Sequence, residues 1–245
     1  MNEPVNFILL GEVRTGGTVL ADSLSRHSRL TVSGEILDFG PSDYWKQRRL
    51  PMVARLYADR TDVDPQSNLV PLLNQILTEY NGFVLHRQWQ IAESNPAWAY
   101  LAARRGLKVI HLHRENVWRQ YVSEQLAKAS AVWHLERPDQ PRPAWQPIAI
   151  DLAHCLHTMR ERRRFLHWGQ ALFAERPAVT LRYEDIEADI GGVLSYCQGF
   201  LGVPRENLPV THRKLTNRPP SQLVTNFEAI RAALRGTEFE PLTAE

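Results

Sequence analysis

The sequence has 245 residues, of which 43% are apolar and 23% charged, and both values are ordinary for a globular protein. A chain of this length can bury a sizeable core, either as one large domain or as two small ones. The formal net charge of +2 is too small to indicate nucleic acid as a partner, so local arginine clusters matter more than the total.

Cysteine usage and the N-terminal residues both bear on the compartment. Cys155 and Cys197 have neither metal-ligand nor redox spacing, and we interpret them as small buried residues in a reducing environment. The first apolar run, Val5 to Leu10, is the length of a strand and lacks the flanks of a signal peptide. No segment contains the roughly 20 apolar residues that a spanning helix needs. We therefore expect a cytoplasmic protein without a transmembrane segment.

Short apolar runs alternate with stretches of helical periodicity, which is typical of α/β proteins with a parallel sheet. In chain order, strands are predicted at 5–10, 30–33, 83–85, 108–112 and 178–182. Helices are predicted at 18–27, 68–80, 96–105, 116–130, 148–175 and 184–201, with a short one ending near 234. Residues 136–147 hold four prolines and are predicted to be a loop. We expect an α/β fold in which residues 1–245 form a single domain with a central parallel sheet flanked by helices.

The most informative segment is Gly11-Glu12-Val13-Arg14-Thr15-Gly16-Gly17-Thr18. It matches the Walker A pattern of P-loop nucleotide-binding proteins at every fixed position except the lysine, which is replaced by Gly17. A predicted strand precedes it and a predicted helix follows, so backbone N–H groups and the helix N-terminus can surround an anion. Without the lysine, hydrolysis of a nucleoside triphosphate is not expected, and Arg14 is the alternative cation. A plain glycine-rich turn is the other interpretation of this segment.

A second candidate anion site follows the strand at 108–112. Arg114 is predicted to lie at the carboxyl end of that strand, where open parallel sheets bind ligands. Asn116 and Ser123 are seven residues apart and share one face of the next helix. Arg114 and Ser123 can therefore hold one phosphate together. The alternative is a solvated arginine and an ordinary helical serine.

Together these segments resemble the PAPS-dependent sulfotransferases, where PAPS is 3′-phosphoadenosine 5′-phosphosulfate. The segments that carry the likeness are Arg14-Thr15-Gly16-Gly17-Thr18, Leu112-His113-Arg114-Glu115-Asn116 and Ser123. Further matches are Leu181-Arg182-Tyr183-Glu184-Asp185-Ile186, Phe200-Leu201-Gly202-Val203-Pro204, Lys214-Leu215-Thr216-Asn217 and Leu223-Val224-Thr225-Asn226-Phe227. The chain is most similar to the bacterial members that act on sugars and glycolipids.

The resemblance implies a sulfuryl donor, PAPS, and a product, PAP, with no metal requirement. It implies that the loop residues Arg14 to Thr18 bind the 5′-phosphosulfate. It assigns Arg114 and Ser123 to the 3′-phosphate and Lys214 to the cofactor. Two positions depart from the family: many members have serine or threonine where this chain has Gly17, and often a lysine at the position of Val84, for which Arg87 can substitute.

The predicted general base is Glu35, because family members that act on carbohydrates use a glutamate in this region. Glu35 follows the second predicted strand and lies beside the phosphate loop if the first two strands are neighbours. His86, His111 and His113 are rival bases; His111 is better explained as a core histidine, and His113 is the second choice. Arg14 is expected to stabilise the bridging oxygen of the leaving nucleotide. A surface glutamate at a strand end is the alternative interpretation of Glu35.

Two further segments have open interpretations. The basic run at 160–164 is explained most simply as a solvated helix face, or else as a contact for an anionic acceptor. Trp133, Trp145 and the proline-rich loop between them form either a lid for a sugar ring or surface cover.

Three functions follow from these patterns: a PAPS-dependent sulfotransferase acting on a hydroxyl of a sugar or glycolipid, a P-loop kinase for a small molecule, and a non-catalytic nucleotide-binding module. The first is favoured because Gly17 replaces the Walker lysine. The acceptor pocket is expected in the loops 38–66 and 130–147. Exposed aromatic and leucine positions are compatible with a homodimer.

Overall fold

The computed structural model describes residues 5–36, 69–86, 91–135 and 139–244. Arg87, the predicted acceptor loop 38–66 and residues 136–138 of the proline-rich loop lie outside these residues. The chain divides into two compact units. The first unit comprises Met1–His113 with Trp168–Pro209, and the second comprises Arg114–His167 with Val210–Glu245. That residues 1–245 act as a single domain stays a prediction.

A five-stranded, entirely parallel sheet forms the first unit, in the order β2-β3-β1-β4-β5. Its strands are β1 (Asn6–Gly11), β2 (Val32–Glu35), β3 (Gly82–His86), β4 (Leu107–His113) and β5 (Ala178–Arg182). The central strand β1 pairs Leu9 with Val84 on one side and with Ile110 on the other. All three side chains are fully buried, as expected where both faces of a parallel sheet are covered. The predicted α/β fold with a central parallel sheet is confirmed.

Eight α-helices occur within the described residues. They are α1 (Gly17–Leu24), α2 (Val70–Glu79), α3 (Pro96–Ala103), α4 (Val117–Ser130), α5 (Leu152–Leu172), α6 (Tyr183–Ala188), α7 (Ile190–Leu201) and α8 (Phe227–Leu234). The single helix predicted at 184–201 was wrong, because Asp189 interrupts it. Asp189 has φ −150° and ψ 80°, outside the helical region, and its carboxylate accepts the N–H of Gly192 at 2.9 Å. An aspartate in this position caps the second helix and so ends the first.

The second unit packs helices α4 and α8, and part of α5, around its own apolar core. Two short 3₁₀ helices belong to it, Pro220–Gln222 and Glu240–Thr243. The largest fully buried side chains of this core include Trp118 and Phe239. Trp145, from the proline-rich loop, is part of the same core at 8% exposure, whereas Trp133 is 37% exposed. Burial of Trp145 favours a structural role for that residue over a lid.

The basic run at 160–164 is not a uniformly solvated face, so that prediction was wrong. Arg162 is buried and pairs with Glu124, which also contacts Lys128 at 2.7 Å. Nε and Nη1 of Arg162 are buried without a hydrogen-bond partner. The other arginines of the run also have partners. Arg160 forms an ion pair with Glu238, Arg164 forms one with Glu161, and the guanidinium of Arg163 lies over the ring of Phe239. The charge of the run is therefore largely compensated inside the second unit.

Both cysteines are free and buried, as predicted. Burial raises the pKa of each thiol, Cys155 and Cys197, to about 12. None of the described helices combines the length and the apolar composition that crossing a bilayer requires. Within the described ranges, no group of three or more His, Cys, Asp or Glu residues is arranged to hold a metal ion.

Candidate functional site

The phosphate loop begins where β1 ends. β1 lies between β3 and β4 and is adjacent in sequence to neither, so the crevice at its carboxyl end is the place where open α/β sheets bind ligands. Gly11 is required there because a Cβ atom would lie 2.6 Å from the Leu112 carbonyl oxygen. The loop thus leaves the sheet in close contact with β4.

The backbone of the loop takes up left-handed conformations at two residues. Arg14 has φ 68° and Gly16 has φ 90°. Such a conformation costs a non-glycine residue of the order of 1 kcal/mol or more, and alternation of this kind turns successive N–H groups towards one point. The buried Thr15 hydroxyl donates to the Glu12 carbonyl at 2.7 Å, which holds the loop closed. The side chain of Thr15 therefore stabilises the loop, and its backbone N–H is the group that remains to bind an anion.

Helix α1 starts immediately after the loop without a capping side chain. Its N-cap is Gly16, which makes no side-chain hydrogen bond, and its first turn has no acidic residue. The N–H groups and the positive end of the helix dipole are then stabilised best by an external anion. Loop and helix together have the local structure that binds a phosphate or sulfate group.

The segment Leu181–Ile186 packs against the phosphate loop at Gly16. A Cβ atom at Gly16 would lie 2.9 Å from Cδ1 of Ile186 and 3.6 Å from Cδ2 of Tyr183. The positive φ of Gly16 and this close approach both require glycine. One role of the motif at the end of β5 is therefore to pack against the phosphate loop.

Glu35 reaches the first turn of α1, although one premise of its prediction was wrong. β1 and β2 are not neighbours, because β3 lies between them, and Glu35 is the last residue of β2 instead of following it. The register between β2 and β3 shifts by one residue before Glu35, and Gly34 has φ 77°. An irregularity of this kind redirects a side chain. The Thr18 hydroxyl donates to Glu35 Oε1 at 2.6 Å, and the carboxylate side chain is 14% exposed.

His86, at the end of β3, is the second ionisable group beside the loop. Its Nε2 lies 3.4 Å from Glu35 Oε1, and its Nδ1 lies 3.3 Å from the Gly11 carbonyl oxygen. Burial alone lowers the pKa of His86, but the Glu35 carboxylate, the Gly11 carbonyl and Glu12 together outweigh it and raise that pKa above 6.5. From the sequence, His86 was considered only as a rival base. Its position at the carboxyl end of a predicted strand was the signal that could have indicated a residue of the site.

The ring of His86 also crowds position 17. A Cβ atom there would lie 3.2 Å from Cε1 of His86 and 3.1 Å from Cγ1 of Val84. Both distances are tighter than an ordinary carbon contact. The two departures from the family pattern, at residues 17 and 84, therefore adjoin each other beside His86.

The other two histidines have different surroundings. His111 is buried in β4 at 3% exposure, and burial lowers its pKa to about 4, so its interpretation as a core histidine is confirmed. His113 is half-buried at the end of the same strand. The pKa of Asp185 is lowered mainly by its hydrogen bond to Arg182 and in lesser part by His113. His113 as a base stays a prediction.

Arg114, Ser123 and Lys214 belong to the second unit. Arg114 is 8% exposed and directly follows β4, and Ser123 is a half-buried residue of α4. Asn116 caps α4 by accepting the N–H of Arg119 at 2.8 Å, and its Nδ2 donates to the Leu242 carbonyl at 3.0 Å. Lys214 is exposed. Binding of the 3′-phosphate by these residues stays a prediction.

Comparison with known proteins bears on the family. No family model matches the chain. Two proteins called Nodulation protein H, one from Rhizobium meliloti strain 1021 and one from Rhizobium meliloti, are each 24% identical over 230 residues. These alignments cover 93% of this chain and 90% of each relative.

Solved structures that match the chain include three described as sulfotransferases or sulfotransferase domains. The domain from the curacin biosynthetic pathway is 17% identical with a TM-score of 0.47, over 84% of this chain and 76% of its own. The domain from the Synechococcus PCC 7002 olefin synthase is 18% identical with a TM-score of 0.47, over 98% and 86%. The sulfotransferase from Alicyclobacillus acidocaldarius is 17% identical with a TM-score of 0.44, over 99% and 93%. The chain is thus similar to Nodulation protein H over nearly its whole length, and the solved structures that it matches include proteins described as sulfotransferases.

Proposed function

We propose that this chain transfers a sulfuryl group from PAPS to a hydroxyl group of a carbohydrate or glycolipid. The observation that carries the proposal is the pairing of the phosphate loop with Glu35, whose carboxylate accepts a hydrogen bond from Thr18 at 2.6 Å. Sulfuryl transfer to a hydroxyl needs an anion site and a general base, and a carboxylate is one group that can act as the base. The sugar or glycolipid acceptor and the role of Glu35 rest on the family resemblance of the motifs.

The donor would be held by its two charged ends. The loop N–H groups, the N-terminus of α1 and Arg14 suit the 5′-phosphosulfate, because fixed donors stabilise the charge that develops on the bridging oxygen. From the resemblance, Arg114, Ser123 and Lys214 bind the 3′-phosphate. PAPS itself supplies the activated sulfuryl group.

The reaction is an in-line transfer with a loose transition state. The acceptor oxygen forms a bond to sulfur while the bond from sulfur to the bridging oxygen of PAPS breaks. The proton of the acceptor hydroxyl passes to the Glu35 carboxylate, and PAP leaves with the electron pair of the broken bond. The protein's own contribution is to position the acceptor, take its proton and stabilise the leaving group.

The first test is thermal stabilisation by PAP, compared with ATP, ADP and AMP, with and without magnesium. A ligand that binds only the folded protein stabilises it by about 2.7 kcal/mol at a hundredfold excess over its dissociation constant. For a chain of this size that is a rise in Tm of roughly 5–10 °C. We expect a large shift with PAP that is independent of magnesium. A shift with ATP and magnesium alone would replace this proposal with a kinase.

The second test is transfer from sulfur-labelled PAPS to a panel of sugars, glycolipids, phenols and simple alcohols. Label in a sugar or glycolipid would support the proposed acceptor class, and label only in phenols would contradict it. Tight binding of PAP with no transfer to any acceptor would indicate a non-catalytic binding module. A cytoplasmic location is part of the proposal, supported by the two free, buried cysteines.

A further inference from the structure

His86 is enclosed by groups that accept hydrogen bonds from both of its ring nitrogens. Nδ1 faces the Gly11 carbonyl oxygen at 3.3 Å, and a carbonyl can only accept, so this nitrogen carries a proton. Nε2 faces Glu35 Oε1 at 3.4 Å. An ionised carboxylate is also only an acceptor, so the arrangement is satisfied in full when both nitrogens are protonated.

The pair is shielded from solvent. The side chains of His86 and Glu35 are 4% and 14% exposed. Burial of a carboxylate destabilises the folded state unless the group is paired with a positive charge and hydrogen-bonded. Glu35 has both partners when His86 is protonated: the imidazolium of His86 and the hydroxyl of Thr18. The charged groups that act on His86 among the described residues are Glu35 from β2 and Glu12 from the loop after β1. Helix α1 places the uncharged Gly17 against the ring.

We propose that His86 is a positioning residue that, as an imidazolium, holds the Glu35 carboxylate ionised and directed at the first turn of α1. This role rests on the proposed function, in which Glu35 takes the proton of the acceptor hydroxyl. His86 keeps its own proton throughout the transfer, so it is neither the base nor a relay. A Cβ atom at position 17 would lie 3.2 Å from Cε1 of this ring, so a larger side chain there would press on His86.

The ion pair can be tested without turnover, by following the imidazole resonances of His86 with pH in the wild type and in Glu35→Gln. His111 is the internal control, because it is a buried histidine whose pKa is lowered to about 4. We expect His86 to titrate above 6.5 in the wild type and at lower pH in Glu35→Gln, because the carboxylate that raises its pKa is gone, while His111 does not move. Equal titration of His86 in the two proteins would overturn the proposal.

The positioning role is tested by the pH profile of His86→Gln, which retains a side-chain donor but no charge. In the wild type, kcat should rise with ionisation of Glu35 and fall as His86 loses its proton. Loss of a positive neighbour makes a carboxylate harder to ionise. We therefore expect His86→Gln to lose the alkaline limb and to show its acid limb at higher pH, with the KM for PAPS unchanged.

The alternatives give different results. If His86→Gln and Glu35→Gln are equally inactive at every pH while both still bind PAP, His86 itself takes the proton and the proposal is wrong. An unaltered bell-shaped profile in His86→Gln would also overturn it. If the wild type neither binds PAP nor uses PAPS, the proposed function fails and the positioning role fails with it, whereas the titration still decides whether the ion pair exists.

Discussion

Replacing Glu35 by glutamine tests the proposed chemistry at one atom. The amide keeps the size of the side chain and its Oε1 still accepts the Thr18 hydroxyl, which lies 2.6 Å from that oxygen in the native protein. The loop should therefore keep its shape, and what is lost is the ability to take a proton. A well-placed general base contributes roughly 10²–10⁴-fold in rate. We expect kcat to fall by that factor, which corresponds to about 3–5 kcal/mol of transition-state stabilisation.

The assay is release of PAP from PAPS with the best acceptor of the panel, together with the dissociation constant of PAP. The matched control is Glu206→Gln, because Glu206 is also a carboxylate that accepts a hydroxyl hydrogen bond, from Ser28, in the same unit. We expect the control to keep wild-type kcat and both variants to bind PAP. A kcat of Glu35→Gln within tenfold of the wild type, with PAP binding intact, would remove Glu35 from the mechanism.

Three further predictions concern packing and charge. Gly17→Ala should lower Tm by roughly 2–4 °C, because overpacking against Val84 and His86 costs about 1–3 kcal/mol and outweighs the gain in helix propensity. The control Gly169→Ala should not lower Tm, because the nearest atom to its added Cβ lies at 3.4 Å, an ordinary contact distance. In urea unfolding, Glu124→Gln should lower the free energy of unfolding by about 3–5 kcal/mol, because it removes the carboxylate that pairs with the buried Arg162. Arg162→Met should lower it less, because Glu124 retains its lysine partner, Lys128. Equal losses in the two variants would contradict the pairing. The folded-state pKa of His111, about 4, lies below the ordinary 6.5. The stability that the folded protein gains from keeping this histidine neutral is therefore fully present above pH 6.5 and is lost as the pH falls towards 4. The free energy of unfolding should therefore fall by about 2 kcal/mol less between pH 7.5 and 5 in His111→Leu than in the wild type. An equal fall in the two proteins would show that another group causes the pH dependence.

The strands were predictable because their signal is local. β1 and β5 are short apolar runs bounded by turn residues, and the structure places β5 at the predicted residues 178–182 and β1 one residue from its predicted bounds. Burial on both faces makes such runs continuous in sequence. The phosphate loop was predictable for a similar reason, because its fixed glycines lie within eight residues of each other.

Strand order was beyond the sequence, because pairing joins residues that are far apart in the chain. The prediction for Glu35 assumed that β1 and β2 are neighbours, yet β3 lies between them. Glu35 still reaches the site, because an extra residue in β2 and the positive φ of Gly34 redirect it towards Thr18. The residue was identified correctly as a neighbour of the loop by a premise that does not hold.

The basic run shows the same limit for charges. Arginines in a helix predict a solvated face, since an unpaired charge is rarely buried. Here the partner of Arg162 is Glu124, 38 residues earlier, and nothing local in the sequence connects them. Helical periodicity would have placed Arg162 on the buried face with Cys155 and Met159, which was the only available signal.

The choice between a kinase and a sulfotransferase depends on positions 17 and 18 of the loop. A kinase built on this loop needs a lysine at 17, but the ring of His86 and the side chain of Val84 leave no space there for even a Cβ atom at normal contact distance. It also uses the hydroxyl at position 18 as a magnesium ligand, whereas the Thr18 hydroxyl donates its proton to Glu35. Gly17→Lys would therefore require the side chain of Val84 or the ring of His86 to shift. The hydrogen bond from Thr18 instead holds a carboxylate beside the loop, where we propose that it takes the proton of an incoming hydroxyl.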